Sequence, residues 1–199
     1  MRRALLILAA CCFSFACFAE GDPVVPPGIR YKRASAELNN KAREKLTKVF
    51  SADATDKDVL SLFEDSLICG PCLCREIKKD PDLAKRGAPT TFEVPVLGSD
   101  GKVKRTDKLE GRLLQSSETL LAFWKYLSRK TDFSKLVIRK LNPAELKFLW
   151  AMYPFDLQEP LFILESKERK ILVLFTSPED LRILWIDDYQ EMRLYEKTP

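Results

Sequence analysis

The sequence predicts an α+β protein, with N-terminal helices followed by mixed helices and an antiparallel sheet that ends in a C-terminal β-meander. Three observations support this. Between residues 35 and 67 apolar residues recur at steps of three and four, the period of a helix face. From about residue 87 they fall in short runs bounded by Gly, Pro, Ser and Asp, the pattern of strands and turns. The two patterns are segregated rather than alternating as βαβ units, which separates α+β from α/β.

Residues 1–19 read as an export signal. Arg2 and Arg3 form a positive n-region, Ala4 to Phe15 an apolar stretch, and Cys17-Phe18-Ala19 places small residues at both recognition positions, so cleavage is expected after Ala19. The alternative is lipid anchoring through a signal-region cysteine, Cys11 after Leu8-Ala9-Ala10 or Cys17 after Ser14-Phe15-Ala16. Residues 20–33 form a Pro-rich linker, with Pro23, Pro26, Pro27 and Gly28 opposing regular structure. Residues 34–199 then form a single domain, divisible into a helical part, 34–86, and an α+β part, 87–199.

In the helical part, Leu38, Ala42, Leu46 and Val49 line one face of a helix from Ser35 to Phe50, with Ser35 as its cap. A second helix is expected from Thr55, with Asp58 completing a capping box and Val59, Leu60, Phe63 and Leu67 as its apolar side. Gly70-Pro71 should end or kink it. Arg75 to Lys79 read as one further helical turn.

In the second part, Thr90–Leu97 and Lys102–Lys108 flank Gly98-Ser99-Asp100-Gly101 as a hairpin, and Pro95 marks the first run as an edge strand or bulge. Leu109–Gln115 continue as strand, and Ser117 opens a helix. Leu136–Leu141 form a short strand. Asn142-Pro143-Ala144-Glu145 opens another helix with cap, proline and box in their favoured places, and Pro154 stops it. The meander comprises Leu161–Glu165, Lys170–Phe175, Leu181–Ile186 and Met192–Tyr195.

Composition narrows function. Of 199 residues, 46% are hydrophobic and 31% charged, enough to bury a core. The net charge of +4 drops toward balance once Arg2 and Arg3 leave with the signal, so charge indicates no nucleic-acid partner. No apolar run in the mature chain is long enough for a transmembrane helix. The absence of histidine removes Ser-His-Asp and Cys-His catalysis and the common zinc enzyme sites. Of six cysteines, Cys11, Cys12 and Cys17 lie in the signal, leaving an odd set of Cys69, Cys72 and Cys74.

Cys69-Gly70-Pro71-Cys72 is the candidate site. Two cysteines so spaced can exchange disulfides, the first activated as a thiolate and the second resolving the mixed disulfide, with Arg75, Lys78 and Lys79 adding positive potential. The tetrapeptide resembles the active site of thioredoxin, and Arg86-Gly87-Ala88-Pro89-Thr90 resembles the loop that carries that family's cis-proline. The resemblance, confined to these two pieces, implies Cys69 as attacking thiol, Cys72 as resolving thiol and Pro89 as the cis-proline facing them. The chain departs from the family in having no clear strand and no Trp before Cys69, a short stretch from Cys72 to Pro89, and an extra Cys74.

Three other readings compete. A structural disulfide, Cys69–Cys72 or one using Cys74, suits an exported protein, although a loop of about four residues contributes only about 2 kcal/mol. The odd cysteine could bridge two chains as a covalent dimer. Three thiolates with a carboxylate such as Glu76 could hold a metal. The aromatics Phe123, Trp124, Phe148, Trp150, Tyr153, Phe162, Phe175 and Trp185 read as core. The acids Asp156, Glu159, Glu179, Asp180, Asp187 and Asp188 read as turn chemistry and solvation, with Asp187 and Asp188 pointing to opposite faces of a strand. Lys102, Lys104, Arg105 and Lys108 read as a solvated hairpin face. The expected function is a non-enzymatic binding or structural role, with no cofactor and an unspecified protein or small-molecule partner. The alternative is a thioredoxin-like thiol–disulfide oxidoreductase using Cys69 and Cys72.

Overall fold

The computed structural model describes residues 31–97, 103–152, 157–175 and 179–195. In chain order the elements are β1 (Tyr31–Lys32), α1 (Ala36–Val49), α2 (Asp56–Leu62), β2 (Phe63–Cys69), α3 (Pro71–Ile77), β3 (Ala88–Leu97), β4 (Val103–Gln115) and α4 (Ser117–Lys130). They continue with β5 (Val137–Lys140), α5 (Pro143–Met152), β6 (Leu157–Gln158), β7 (Leu161–Glu165), β8 (Lys170–Phe175), β9 (Ile183–Asp188) and α6 (Tyr189–Tyr195). The expected signal, most of the expected linker, the turn at Gly98–Gly101, and Tyr153, Pro154, Asp156 and Pro178 lie outside the described residues.

The helix starts follow local chemistry. The Ser35 hydroxyl accepts from the Leu38 amide, and Thr55 and Asp58 exchange side-chain and backbone hydrogen bonds as a capping box. Asn142 and Glu145 do the same, each accepting at 2.9 Å from the other's amide. Ser116 accepts from the Thr119 amide at the head of α4.

Seven strands form one mixed sheet in the order β3-β4-β2-β9-β8-β7-β5. All neighbours are antiparallel except β2 and β9, which run parallel with Cys69 opposite Ile186. The hairpin β3–β4 and the meander β7–β8–β9 appear as expected, and Pro95 sits in the edge strand β3, where no second neighbour needs its amide. The α+β class holds. The segregation of helices before strands holds only in part, because β2 from the helical part lies between β4 and β9 of the other part.

Three local expectations fail. The second helix stops at Leu62 rather than running to Gly70, because Phe63–Cys69 pairs with strands on both sides. Phe63 and Leu67, four apart, imitate a helix face, and tertiary pairing overrides that period. Met192–Tyr195 is helix, not strand. The Asp188 carboxylate accepts from the Glu191 amide at 3.0 Å, and Tyr189 and Met192, three apart, bury one face. The linker's end is also ordered. Tyr31 and Lys32 pair with Leu157 and Gln158, and Glu159 accepts from the Tyr31 hydroxyl (2.5 Å), the Ala34 amide (3.0 Å) and Asn39 Nδ2 (3.3 Å).

Two apolar clusters occupy the two faces of the sheet. Residues from α1, α2 and α4, among them Leu46, Leu62 and Phe123, pack on one face with Phe63, Leu67, Cys69, Ile171, Val173 and Ile186. Leu146 and Leu149 of α5 and Met192 of α6 pack on the other with Ile163, Leu172, Trp185 and Cys72. Strand alternation delivers this, with Ile171 and Val173 on one side and Leu172 on the other. Phe63→Ala, at a fully buried central position, is expected to destabilise by about 3–5 kcal/mol. Val137→Thr, on the exposed edge strand β5, should stay within about 0.5 kcal/mol. Denaturant unfolding with an unchanged slope checks both.

Candidate functional site

The site lies where β2 and β9 end side by side. Because they run parallel, Cys69-Gly70 and Asp187-Asp188 reach the same end of the sheet. The Gly70 amide continues the pairing by donating to the Ile186 carbonyl at 2.8 Å. The chain then turns into α3. Gly70 is its cap residue and Pro71 its first residue, a position where proline needs no amide partner and its fixed φ is already helical. The proline expected to end a helix therefore starts one, and a strand does precede Cys69.

The three cysteines among the described residues are unbonded and buried. Cys69 and Cys74 pack in the cluster under α1, α2 and α4, and Cys72 packs in the opposite one. Cys69 and Cys74 have no exposed surface, whereas Cys72 retains 7%. Of the three, Cys72 alone keeps exposed surface and borders the cleft. Burial, then the charge of Asp187, pushes the Cys72 thiol up to about 12, although Arg75 donates to its sulfur at 3.7 Å and pulls the other way. Burial, Asp187 and Cys74 push Cys69 well above the ordinary thiol range, and burial raises Cys74 as well. Pro89 lies in β3 opposite Arg112, which is itself opposite Cys69, so β4 separates it from the cysteine. The cis peptide bond among the described residues is Glu159–Pro160, not Ala88–Pro89.

Asp187 is the residue that sequence reasoning missed. Expected to be solvated, it has no exposed surface. Its Oδ1 accepts from the amides of Leu73 and Asp188, each at 2.8 Å, while its Oδ2 is buried without a partner. Gly70 has no side chain to cap α3, so this carboxylate, more than a hundred residues away in sequence, caps it instead. The contact also explains the glycine, since a Cβ on residue 70 would fall inside the Asp187 carboxyl group. Burial pushes Asp187 up to about 7, against the pull of the amides it accepts from.

Asp188 points the other way, as strand alternation requires, into an ion chain. Arg169 donates through Nε to Asp188 at 2.9 Å and through its terminal nitrogens to Glu76. Tyr126 donates to Glu76 at 2.6 Å. The chain forms one wall of an open cleft of about 680 Å³ whose other walls carry Cys72, Arg75, Lys79 and Lys130. Arg169, in the turn between β7 and β8, is folded inward and only 9% exposed. Among the described residues no group of three or more His, Cys, Asp or Glu is placed to hold a metal ion. No helix among them is long and apolar enough to cross a membrane. The one sequence signal for the acids was their position straight after the apolar run Ile183–Ile186, which puts them at a strand's carboxyl end.

Compared with known proteins, the chain matches no family model, and neither a curated protein nor a solved structure shows significant similarity to it.

Gly70→Ala is expected to cost about 1–3 kcal/mol, because either Asp187 or the start of α3 must move. Arg169→Met removes the cation that joins the buried Asp188 to Glu76 and is expected to cost about 3–5 kcal/mol. Thermal and denaturant unfolding of the two variants measure these effects.

Proposed function

We propose that the chain is an exported, non-enzymatic binding protein whose ligand seat is the cleft beside Cys72. The observation that carries this reading is the state of the thiols. Cys69 and Cys74 have no exposed surface and Cys72 keeps 7%, and burial pushes all three thiols up, whereas an exchange enzyme needs a thiolate near neutrality. The sulfurs then serve packing, as thiols or as one short bridge. Arg169, held by Glu76 and Asp188, supports a preformed wall, and the mixed charges of the lining suit a polar, charged ligand. Export rests on Arg2, Arg3 and the apolar run ending near Ala19.

A specific observation favours a second reading, thiol–disulfide exchange. Cys72 is the second residue of a helix that leaves a strand end, it borders a cleft, and Arg75 contacts its sulfur. In that reading the roles implied by the thioredoxin resemblance are reversed. The Cys72 thiolate attacks a substrate disulfide, one substrate thiolate leaves, and Cys72 holds the other half. The Cys69 thiolate then attacks the Cys72 sulfur and releases the second thiol. Cys69–Cys72 is left oxidised, and two electrons have passed to the substrate.

One assay series separates the two. Alkylation of Cys72 in the native protein is expected to be slow at pH 7 and to rise about tenfold per pH unit toward pH 11. Reduction of a dithiol-coupled protein disulfide should show no catalysis. Turnover that is lost in Cys72→Ser and leaves a trapped mixed disulfide in Cys69→Ser would overturn the binding reading. The intact mass of the exported protein should begin at Glu20 and carry no acyl group. A lipid on Cys11 or Cys17 would replace a soluble exported form by an anchored one.

A further inference from the structure

We propose that α3 is a movable wall of the cleft, held to the end of β9 by two clasps, the Arg169 clasp in front and a buried Asp187 clasp behind that responds to pH. Behind the helix, Asp187 holds the Leu73 amide with one oxygen and leaves the other without a partner. In front, Arg169 links Glu76 of α3 to Asp188 of β9. Gly70, between strand and helix, carries no side chain and is pressed against the Asp187 carboxyl group, so the two elements meet there with nothing to spare. Residues of α3 supply much of the cleft lining, so any swing of the helix reshapes the seat.

The groups that surround Asp187 fix the sign. Cys69 at the end of β2 and Cys72 and Cys74 of α3 are thiols, neutral through neutral pH. Asp188 on β9 is a like charge. Arg112 of β4 and Arg169 of the β7–β8 turn are cations that act on the neighbouring Cys69; Arg169 is engaged with Asp188 and Glu76, and Arg112 donates through one terminal nitrogen to the carbonyls of Leu83 and Arg86 while its Nε is buried without a partner. Nothing among these compensates an ionised Asp187 directly. Opening α3 lets water reach the carboxylate, so the open form ionises in the ordinary carboxylate range while the closed form holds its proton up to about 7. Closing therefore takes up a proton, and raising the pH favours opening until both forms are ionised. Linkage between these two limits gives about a tenfold rise in the opening constant from pH 6 to pH 8. The Arg169 clasp ties Glu76 of α3 to Asp188 of β9, so it restrains the swing of the helix. The inference stands whether the cleft binds a ligand or exchanges disulfides.

Hydrogen exchange of the mature protein, read by mass spectrometry on a peptide spanning 70–77 and corrected for intrinsic rates, tests it. Protection of α3 is expected to fall about tenfold from pH 6 to pH 8, while α1 stays within twofold. In Asp187→Asn the α3 fall should shrink below twofold. A flat response in the parent, an equal fall in α1, or an undiminished fall in Asp187→Asn would overturn the proposal. Should the variant not fold, the ¹³C carboxyl titration of Asp187 in the parent decides. A midpoint near 7 supports the clasp, and one in the ordinary carboxylate range overturns it.

Discussion

The parallel pairing of β2 with β9 is the constraint on which the rest of the structure depends. It is the one parallel contact in the seven-stranded sheet, and it joins two sets of strands that are otherwise built from local antiparallel steps. The hairpin β3–β4 folds back onto β2, and the meander β7–β8–β9 carries β5 at its far edge. Without the β2–β9 contact these would be two smaller sheets, each with an open edge. With it, apolar clusters form on both faces, and helices from both parts of the chain cover them. The pairing also brings two strand ends to the same place, which sets Cys69-Gly70 beside Asp187-Asp188.

That junction gathers polar groups that are costly to bury. A buried carboxylate with one unpartnered oxygen and an ion chain of Arg169, Glu76 and Asp188 are poor choices if stability alone is counted, because desolvation offsets much of what pairing contributes. They do fix geometry. Asp187 supplies the cap that Gly70 lacks, and Arg169 sets the distance between α3 and β9. Gly70 and Pro71 complete the arrangement by opposite means. The glycine removes a side chain that would collide, and the proline needs no amide partner at the first helical position.

The chemistry of the three sulfurs follows from the same placement. A strand end and the helix that leaves it send Cys69 and Cys74 to one side of the sheet and Cys72 to the other, so neighbours in sequence meet different surroundings. Asp187 stands among all three and adds its charge to the effect of burial. Thiols in that setting stay protonated at neutral pH and act as small apolar residues. Opposing this are Arg75 at the Cys72 sulfur and the cleft that Cys72 borders.

Local chemistry could be read directly from the residues. The caps at Ser35, Thr55 and Asn142, the β3–β4 hairpin with Pro95 on an edge, and most of the meander are set by contacts a few residues apart, where spacing and turn chemistry suffice. Two of the misreadings lie where a distant partner decides, whereas the helix that includes Met192–Tyr195 rests on the local cap from Asp188 to the Glu191 amide. Phe63 and Leu67 carry a helical period but form strand because β4 and β9 flank them, and Pro71 reads as a stop until β2 ends just before it. By itself the sequence determined the α+β class, the starts of α1, α2, α4 and α5, the hairpin and the absence of histidine, because each depends on residue type and short-range spacing. Tertiary structure alone decided which thiol meets the cleft, that Asp187 is buried, and that it caps α3. Those outcomes rest on a carboxylate and an amide separated by 114 residues, and only the pairing of β2 with β9 brings them within 2.8 Å.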